Sequence, residues 1–323
     1  MLQTFISFIF VFGIIVFAHE LGHFATAKWS GIKIHEFSLG MGPAILKKQG
    51  KETLYSLRLF PIGGYVKMEG EDEASDDPRS FSNKKPWKRL IILAAGALMN
   101  FVLAYVLLVI IMFSVGAPSN TIAEVVADMP AVQAGVMAED KIIAIDGKKV
   151  NSWDDVTSTI NDSEGKILKI EVIRENGEAK TFDVKPIVRE DGSYAIGIQT
   201  KIIKQVDKAF GMAGEQFKYF FTSIFDFLGS IGKKDVAGEL VGPVGLVNIV
   251  GEVSKTGLIN LLNLAAYISI NLGIVNLLPF PALDGGRIIF VIIEMVMGKP
   301  INREKEGYVH FVGFALLMAL MVF

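Results

Sequence analysis

The chain contains no cysteine. It therefore holds no disulfide and no thiolate metal site, an absence that by itself identifies no compartment. Charge is sparse as well: only 20% of the 323 residues are Asp, Glu, Lys or Arg, while 51% are hydrophobic. With a mean hydropathy of +0.44, that balance points to a polytopic membrane protein carrying some soluble mass. A formal net charge of −2 offers no broad basic surface, and no nucleic-acid partner is expected. Histidine is limited to His19, His23, His35 and His310, so any zinc site must recruit a carboxylate or water. No charged side chain occurs between Met1 and Ala18. A secretion signal needs a positive start and a small-residue cleavage site, so this run reads as a retained first membrane helix.

At the end of that run stands Phe17-Ala18-His19-Glu20-Leu21-Gly22-His23. On a helix, His19 and His23 lie one turn apart on one face, and both imidazoles can reach one metal ion. In such H-E-x-x-H sites the glutamate takes a proton from the attacking water. Two histidines four apart are often only a solvated face. Here they sit in a membrane-spanning run, where ionisable side chains are costly and mark function.

Four segments reach or approach spanning length, from about Leu2 to Ala27, Leu90 to Val115, Leu258 to Phe280 and Tyr308 to Phe323. The last falls short and ends on Met321-Val322-Phe323, so either the bilayer adapts to it or a tail is missing. Lys84, Lys85, Lys88 and Arg89 crowd the entrance to the second span, and Arg287, Lys299, Arg303 and Lys305 separate the third from the fourth. By the positive-inside rule both loops are cytoplasmic and both termini are outside. The His-Glu motif and the end of span three then share a depth near the cytoplasmic face.

Between the first two spans, Ile32 to Glu69 lacks a helical period. Ile34, Phe37 and Leu39 precede a Gly40-Met41-Gly42-Pro43 turn, Thr53 to Leu59 alternates, and Pro61-Ile62-Gly63-Gly64 leads into Tyr65-Val66-Lys67-Met68. These read as strands at the membrane interface or lining a cavity, since open edges do not survive in lipid. Their edge either pairs with an extended substrate backbone, with Gly63, Gly64 and Tyr65 as candidate contacts, or only seals the site. His35 reads as a surface histidine, and Glu69 to Asp77 as an acidic, flexible connection.

From about Ser119 to Thr200 the composition is that of a soluble α/β module. Strands are expected over Thr121–Val126, in Asp140–Val150 with an Asp146-Gly147 turn, and in a hairpin of Ile167–Arg174 and Ala179–Lys185 about Asn176-Gly177. A short helix is expected over Trp153–Ile160. The order, with Gln133-Ala134-Gly135-Val136 before the Asp140–Val150 strand, resembles a bacterial PDZ domain. Such modules bind peptide ends or strands at a sheet edge, although this one could act only as a size filter. Lys204 to Gly229 is amphipathic and aromatic, suited to an interface or to packing on the spans. Gly238 to Gly251 reads as a glycine-rich re-entry.

Span three carries Asn260, Asn263, Asn271 and Asn276, then ends Asn276-Leu277-Leu278-Pro279-Phe280-Pro281-Ala282-Leu283-Asp284-Gly285-Gly286-Arg287. Two prolines break the helix before an aspartate and two glycines. Irregular backbone at membrane depth is tolerated only where it is buried or lines a wet cavity. Asp284 is thus the carboxylate positioned to complete a two-histidine site. Glu294, its competitor, lies in an ordinary apolar stretch and is expected to face other helices. A His, His, Asp set leaves a fourth position open on tetrahedral zinc.

The paired motifs, H-E-x-x-H in span one and N-x-x-P-x-P-x-L-D-G in span three, resemble the site-2 protease family of intramembrane zinc metalloproteases. With a single PDZ-like domain, the chain resembles the bacterial regulators of sigma-factor signalling over nearly its whole length. The resemblance implies Zn2+ held by His19, His23 and Asp284, Glu20 as catalytic base, and Asn276 holding substrate near the metal. It also implies a multi-pass protein of the bacterial cell membrane, in contact with lipid. Its substrate would be a single-span membrane protein, whether an anti-sigma factor, a remnant signal peptide or another single-span protein.

The expected fold is therefore a polytopic α-helical membrane protein of four spans, with a membrane-associated β region and an inserted extracytoplasmic PDZ-like α/β domain. Its parts are residues 1–118 (first half of the membrane core), 119–200 (PDZ-like), 201–257 (amphipathic helices and linker) and 258–323 (second half of the core). Two rivals come from other classes. A non-catalytic PDZ-bearing scaffold would keep its function in a Glu20→Gln variant, and a full ligand set plus Glu20 argues against it. A zinc carrier would use the same three ligands, but a large external domain and a single His-Glu-x-x-His argue against that.

Overall fold

A computed structural model of the chain describes residues 1–71, 75–230, 242–299 and 301–322. The middle of the acidic connection, the start of the glycine-rich stretch (238–241) and Phe323 lie outside the described residues. In chain order the elements begin α1 (Leu2–Trp29), β1 (Ile34–Gln49), β2 (Leu54–Met68) and α2 (Pro86–Val115). Next come β3 (Ala117–Val125), α3 (Pro130–Ala134), β4 (Lys141–Ile145), β5 (Lys148–Lys149), α4 (Trp153–Asp162), β6 (Leu168–Ile173) and β7 (Ala179–Val184). Then follow β8 (Ile187–Val188), β9 (Tyr194–Ala195), β10 (Ile198–Ile203), α5 (Val206–Ser230), α6 (Pro243–Lys255), α7 (Leu258–Leu277), α8 (Asp284–Met297) and α9 (Arg303–Val322). The chain divides into two units, residues 1–111 with 213–323, and residues 112–212.

In the first unit, α1, α2 and α7 are the described helices long and apolar enough to cross a membrane. The final apolar segment is also helical, as α9, but its first turn carries Glu304 and Glu306. Helix contacts form where glycine lets backbones approach. A Cβ on Gly22 of α1 would lie 2.2 Å from the Ala95 carbonyl oxygen of α2, and one on Gly273 of α7 would lie 2.5 Å from the Phe101 ring. The glycine-rich stretch before α7 is helical where it is described. It forms α6, opened by Pro243 in the first turn, where the missing N–H is harmless. Gly251 serves contact there, because a Cβ would stand 2.6 Å from Thr4 of α1. The aromatic face of α5 packs on the spans: Phe217 and Phe221 lie 6.2 and 5.9 Å from Phe101, and Phe220 lies 5.2 Å from Tyr267.

β1 and β2 form one bent sheet in which the first half of β1 lies between the two halves of β2. Phe37 is partnered by Val66 on one side and Tyr55 on the other, and Ser38 by Tyr65 and Ser56. The expected Gly40–Pro43 turn is a bend within β1, with Gly40 and Gly42 at φ of +84° and +83°, values natural only to glycine. One half of this sheet is anchored by a core of Ile34, Phe37, Val66 and Met68 with Ala27, Ile92, Leu93 and Val291. The other half leaves Ile45, Leu46, Leu57, Leu59 and Phe60 exposed.

Two charges that carried the orientation argument are paired inside the fold. Buried Arg89 donates to both carboxylate oxygens of Glu294 at 2.9 Å, and Arg287 pairs with Glu71. Glu294 therefore faces α2, in line with the expectation that it faces other helices, and the apolar stretch that carries it is a helix, α8.

The second unit is built on a sheet of order β10-β3-β4-β6-β7, with β5 paired to β4. The Asp146-Gly147 turn has φ of +50° and +74°, which suits a two-residue hairpin. β6 and β7 run in register from Leu168 opposite Val184 to Ile173 opposite Ala179. Ser152 caps α4, accepting from the Asp155 N–H while Asp155 accepts from the Ser152 N–H, a capping box. Ile122, Ile142, Ile145, Ile170 and Val156, all at 0% exposure, fill the core; burying each contributes about 1.5–3 kcal/mol.

Candidate metal centre

α1 is apolar on every face, so its polar residues are defined by what meets them. His19 and His23, four residues apart, present their Nε2 atoms to one another at 3.2 Å. α2 lies against this face because Gly96 has no side chain: a Cβ there would stand 2.4 Å from His23 Nε2 and 2.7 Å from His19 Cε1. The other ring nitrogens also point to α2. His23 Nδ1–H donates to the Ile92 carbonyl at 2.8 Å. A carbonyl only accepts, so the proton is on Nδ1 and the Nε2 lone pair is free for a metal. His19 Nδ1 lies 3.4 Å from the side-chain amide of Asn100, a residue at 0% exposure.

The third corner comes from the break after α7. The helix stops at Leu277, and the chain passes Pro279 and Pro281 to Ala282, whose φ is +80°. That is a left-handed value uncommon for a residue with a Cβ. Ala282 is held there from α9, where His310 Nδ1 accepts the Ala282 N–H at 2.9 Å. Gly313, one turn on, sits so close that a Cβ would be 2.4 Å from Pro281. Gly285 and Gly286 let the start of α8 fold back on its own lead-in, since their Cβ atoms would lie 2.1 Å from the Leu278 oxygen and 2.5 Å from the Phe280 oxygen. Asp284, the first residue of α8, is thereby fixed facing α1.

Asp284 Oδ2 lies 3.3 Å from His19 Nε2 and 3.3 Å from His23 Nε2. Tetrahedral zinc with bonds of ~2.0–2.2 Å sets its ligand atoms roughly 3.3–3.5 Å apart. The triangle of 3.2, 3.3 and 3.3 Å therefore has the size of one face of that tetrahedron. Asp284 Oδ2 is also buried with no hydrogen-bond donor, a costly state for a carboxylate oxygen that a cation would relieve. Among the described residues this is the one cluster of three His, Asp or Glu groups able to hold a metal ion. The donor set fits zinc.

The model of peptidase family M50 matches residues 7–320. This chain belongs to family M50. It is 39% identical to a Clostridium acetobutylicum chain provisionally named a zinc metalloprotease, over 97% of this chain and 94% of that one. It is 34% identical to the zinc metalloprotease RasP of Bacillus licheniformis (99% and 97% covered) and 33% identical to the regulator of sigma-W protease RasP of Bacillus subtilis (99% and 96% covered). The M50 protein described here is accordingly a zinc-dependent intramembrane metalloendopeptidase. Among solved structures, the PDZ domain of a Listeria monocytogenes SdrC-like protein aligns with 29% of this chain and 93% of its own, at 24% identity and a TM-score of 0.24.

The other expected site residues of this M50 chain fall in different places. Glu20, 9% exposed, lines a cavity of about 430 Å³ together with His19, His23 and Asp284. Gly64 lines it too, lying so near Glu20 that a Cβ would be 2.9 Å from Glu20 Cγ and 2.7 Å from the Ser38 oxygen. Gly63, beside it within β2, has a φ of +75°. Tyr65 lies along the same wall, but its hydroxyl is engaged elsewhere, accepting from Arg58 at 2.5 Å. Arg58 also donates to Glu36 at 2.7 Å. Burial raises the Glu36 carboxyl, yet hydrogen bonds from Ser56 and Arg58 outweigh it and hold the group below its usual range. Asn276 is half-buried in the last turn of α7 and is not among the residues lining the cavity. His35, expected at the surface, is partly exposed and lies 2.6 Å from Glu69. Gly96, Asn100 and His310 escaped the sequence reading. The only signal for Asn100 was a lone amide in an otherwise apolar span.

Proposed function

We propose that this M50 protease hydrolyses a peptide bond within or beside the transmembrane helix of a single-span membrane protein, with His19, His23 and Asp284 as its zinc ligands and Glu20 as its base. The observation that carries this is the 3.2–3.3 Å triangle of ligand atoms beside Glu20 in one cavity. When bound there, zinc supplies a Lewis acid for the scissile carbonyl and for the attacking water. Glu20 accepts the water proton and passes it to the leaving amine. Asp284 and the two imidazoles are held by α2 and the α7–α8 break, so the chain presents its donors without rearrangement.

The edge strand 64–68 receives the substrate as an extended segment. Its support is that β1 pairs with only one side of Gly64–Lys67 and that the same residues border the cavity. A helical substrate must unwind to present a carbonyl, so helix-weak residues near the cut favour cleavage. Asn276 contacts the unwound segment, a role that an unchanged turnover in Asn276→Ala would remove. α9 acts as a fourth span, and the active site lies near the cytoplasmic face, a reading supported by Lys84, Lys85 and Lys88 before the second span. Residues 119–200 form an extracytoplasmic PDZ-like domain that takes a peptide ligand or limits substrate size. The name of the Bacillus subtilis relative supports an anti-sigma factor as substrate.

The test is cleavage of a model single-span peptide by detergent-purified protein, wild type beside Glu20→Gln, with zinc measured in both. Cleavage by wild type alone with zinc in both is expected, the loss being about 100-fold or more. Equal cleavage by both would remove Glu20 from the chemistry, and loss of zinc from neither His19→Ala nor Asp284→Ala would remove the ligand assignment.

A further inference from the structure

Asn100 is a side-chain amide in the middle of α2, at 0% exposure, in a stretch from Leu90 to Val115 that carries no charged side chain. Its Oδ1 is buried without a hydrogen-bond partner. Among the described residues its one side-chain hydrogen-bonding approach is to His19 Nδ1, at 3.4 Å, and there the amide nitrogen faces the ring. The backbone oxygen of the same residue accepts from Ser269 at 2.9 Å, so the position on α2 is tied to α7 independently of the side chain.

The donor and acceptor chemistry of this contact depends on whether His19 holds a metal. An imidazole that gives its Nε2 lone pair to a cation carries its proton on Nδ1 and becomes a donor there. Two N–H groups would then oppose each other across 3.4 Å. The oxygen and nitrogen of a side-chain amide exchange places by a half-turn about the last bond with almost no change of shape. That turn brings Oδ1 to His19, where it accepts from Nδ1–H. His23 already has this arrangement with the Ile92 carbonyl at 2.8 Å. Ile92, Gly96 and Asn100 lie four apart on one stripe of α2, one acceptor for each ring with a glycine between them.

We infer that Asn100 is a positioning residue for the metal centre: its amide oxygen accepts from His19 Nδ1–H, selecting the tautomer that directs Nε2 at zinc and raising the basicity of that ligand. The inference rests on the ligand assignment above. It explains why an amide is buried here with no other side chain to satisfy it, a placement that apolar packing alone disfavours. Aspartate offers two acceptor oxygens in the same shape, whereas leucine fills the space and offers none.

The experiment measures zinc affinity of the full chain in detergent by competition with a chelator of known affinity, for wild type, Asn100→Leu, Asn100→Asp and His19→Ala. Loss of a partner of this kind lowers metal affinity about 10- to 100-fold, so Asn100→Leu is expected to weaken binding by that factor while Asn100→Asp binds as wild type or tighter. The unfolding temperature of the metal-free proteins reports whether each variant folds. Cobalt in place of zinc gives a second readout that needs only the aspartate variant: its visible bands shift from those of wild type if the residue acts on the ring, and superimpose if it only packs. Wild-type affinity in Asn100→Leu, equal weakening in both Asn100 variants, or superimposed cobalt bands would overturn the role. If His19→Ala binds zinc as wild type does, the ligand assignment fails instead, whatever Asn100 does.

Discussion

Gly96→Ala tests whether α2 shapes the metal centre. The added methyl would lie 2.4 Å from His23 Nε2, 2.7 Å from His19 Cε1 and 2.8 Å from His23 Cε1. A Cβ and a ring atom need well over 3 Å, so either the rings part or α2 withdraws. The rings are constrained by the Ile92 carbonyl and by α1, and α2 by the contact of Ala95 with Gly22, where a Cβ would already be at 2.2 Å. Overpacking a fixed site costs about 1–3 kcal/mol. Expressed against metal binding, that is a loss of zinc affinity of roughly 5- to 150-fold, with little change in the metal-free unfolding temperature if the rings yield rather than the helices. Gly13→Ala in the same α1 is the control, because nothing lies within 4 Å of the added methyl. It should match wild type or gain slightly from helix propensity. Chelator competition on the purified proteins decides the matter. A folded Gly96→Ala protein binding zinc as tightly as wild type would refute the contact and the fit of the triangle.

Other outcomes follow from single contacts. Gly64→Ala places a methyl 2.9 Å from Glu20 Cγ and 2.7 Å from the Ser38 oxygen, so peptide cleavage should fall roughly 5- to 150-fold while zinc content stays at wild type; unchanged turnover would separate strand 64–68 from the chemistry. Arg89→Ala leaves the Glu294 carboxylate without its 2.9 Å partner and should destabilise by about 3–5 kcal/mol, whereas Arg89→Met with Glu294→Leu should recover most of that in thermal unfolding. Hydrogen bonds from Lys28 and Arg79 hold the Glu52 carboxyl at about 2, below its ordinary 4.5. The folded chain takes up this proton only at lower pH than the unfolded chain, so the contribution is full above about pH 4.5 and fades as pH falls toward 2. Glu52→Gln should therefore differ from wild type in unfolding temperature at pH 7, and the gap should close on acidification; a constant gap would show that the pair adds nothing through its charge.

Much of the centre was legible in the sequence because it rests on local periodicity. His19 and His23 share a face by helical spacing alone, and Glu20 follows from its place between them. Asp284 was legible because Pro279, Pro281, Gly285 and Gly286 make a break that membrane-depth backbone tolerates only at a cavity. Two hairpins of the second unit were equally local, announced by the Asp146-Gly147 and Asn176-Gly177 turns, whereas the short β8–β9 pair was not read. α6 and α8 were less legible. Glycine argued against helix in α6, but Gly251 there makes room for Thr4 of α1; α8 does carry local signals, with Arg287 and Glu294 seven apart on one face and Gly298 as a left-handed cap, but the apolar residues around them mask the period.

What only the tertiary structure decided is what faces His19, His23 and Asp284. Gly96 and Asn100 reach His19 and His23 across more than seventy residues of chain, and His310 reaches Ala282 from the final helix. A glycine that admits a ring, an amide that orients it and a histidine that holds a left-handed alanine look in sequence like any glycine, asparagine or histidine in an apolar segment. The same holds for Arg89, read as a loop charge and found paired with Glu294. Local sequence sets which residues share a face of a helix, because that depends on backbone period. The partner of that face is set by packing between segments distant in the chain, which leaves no local periodic trace.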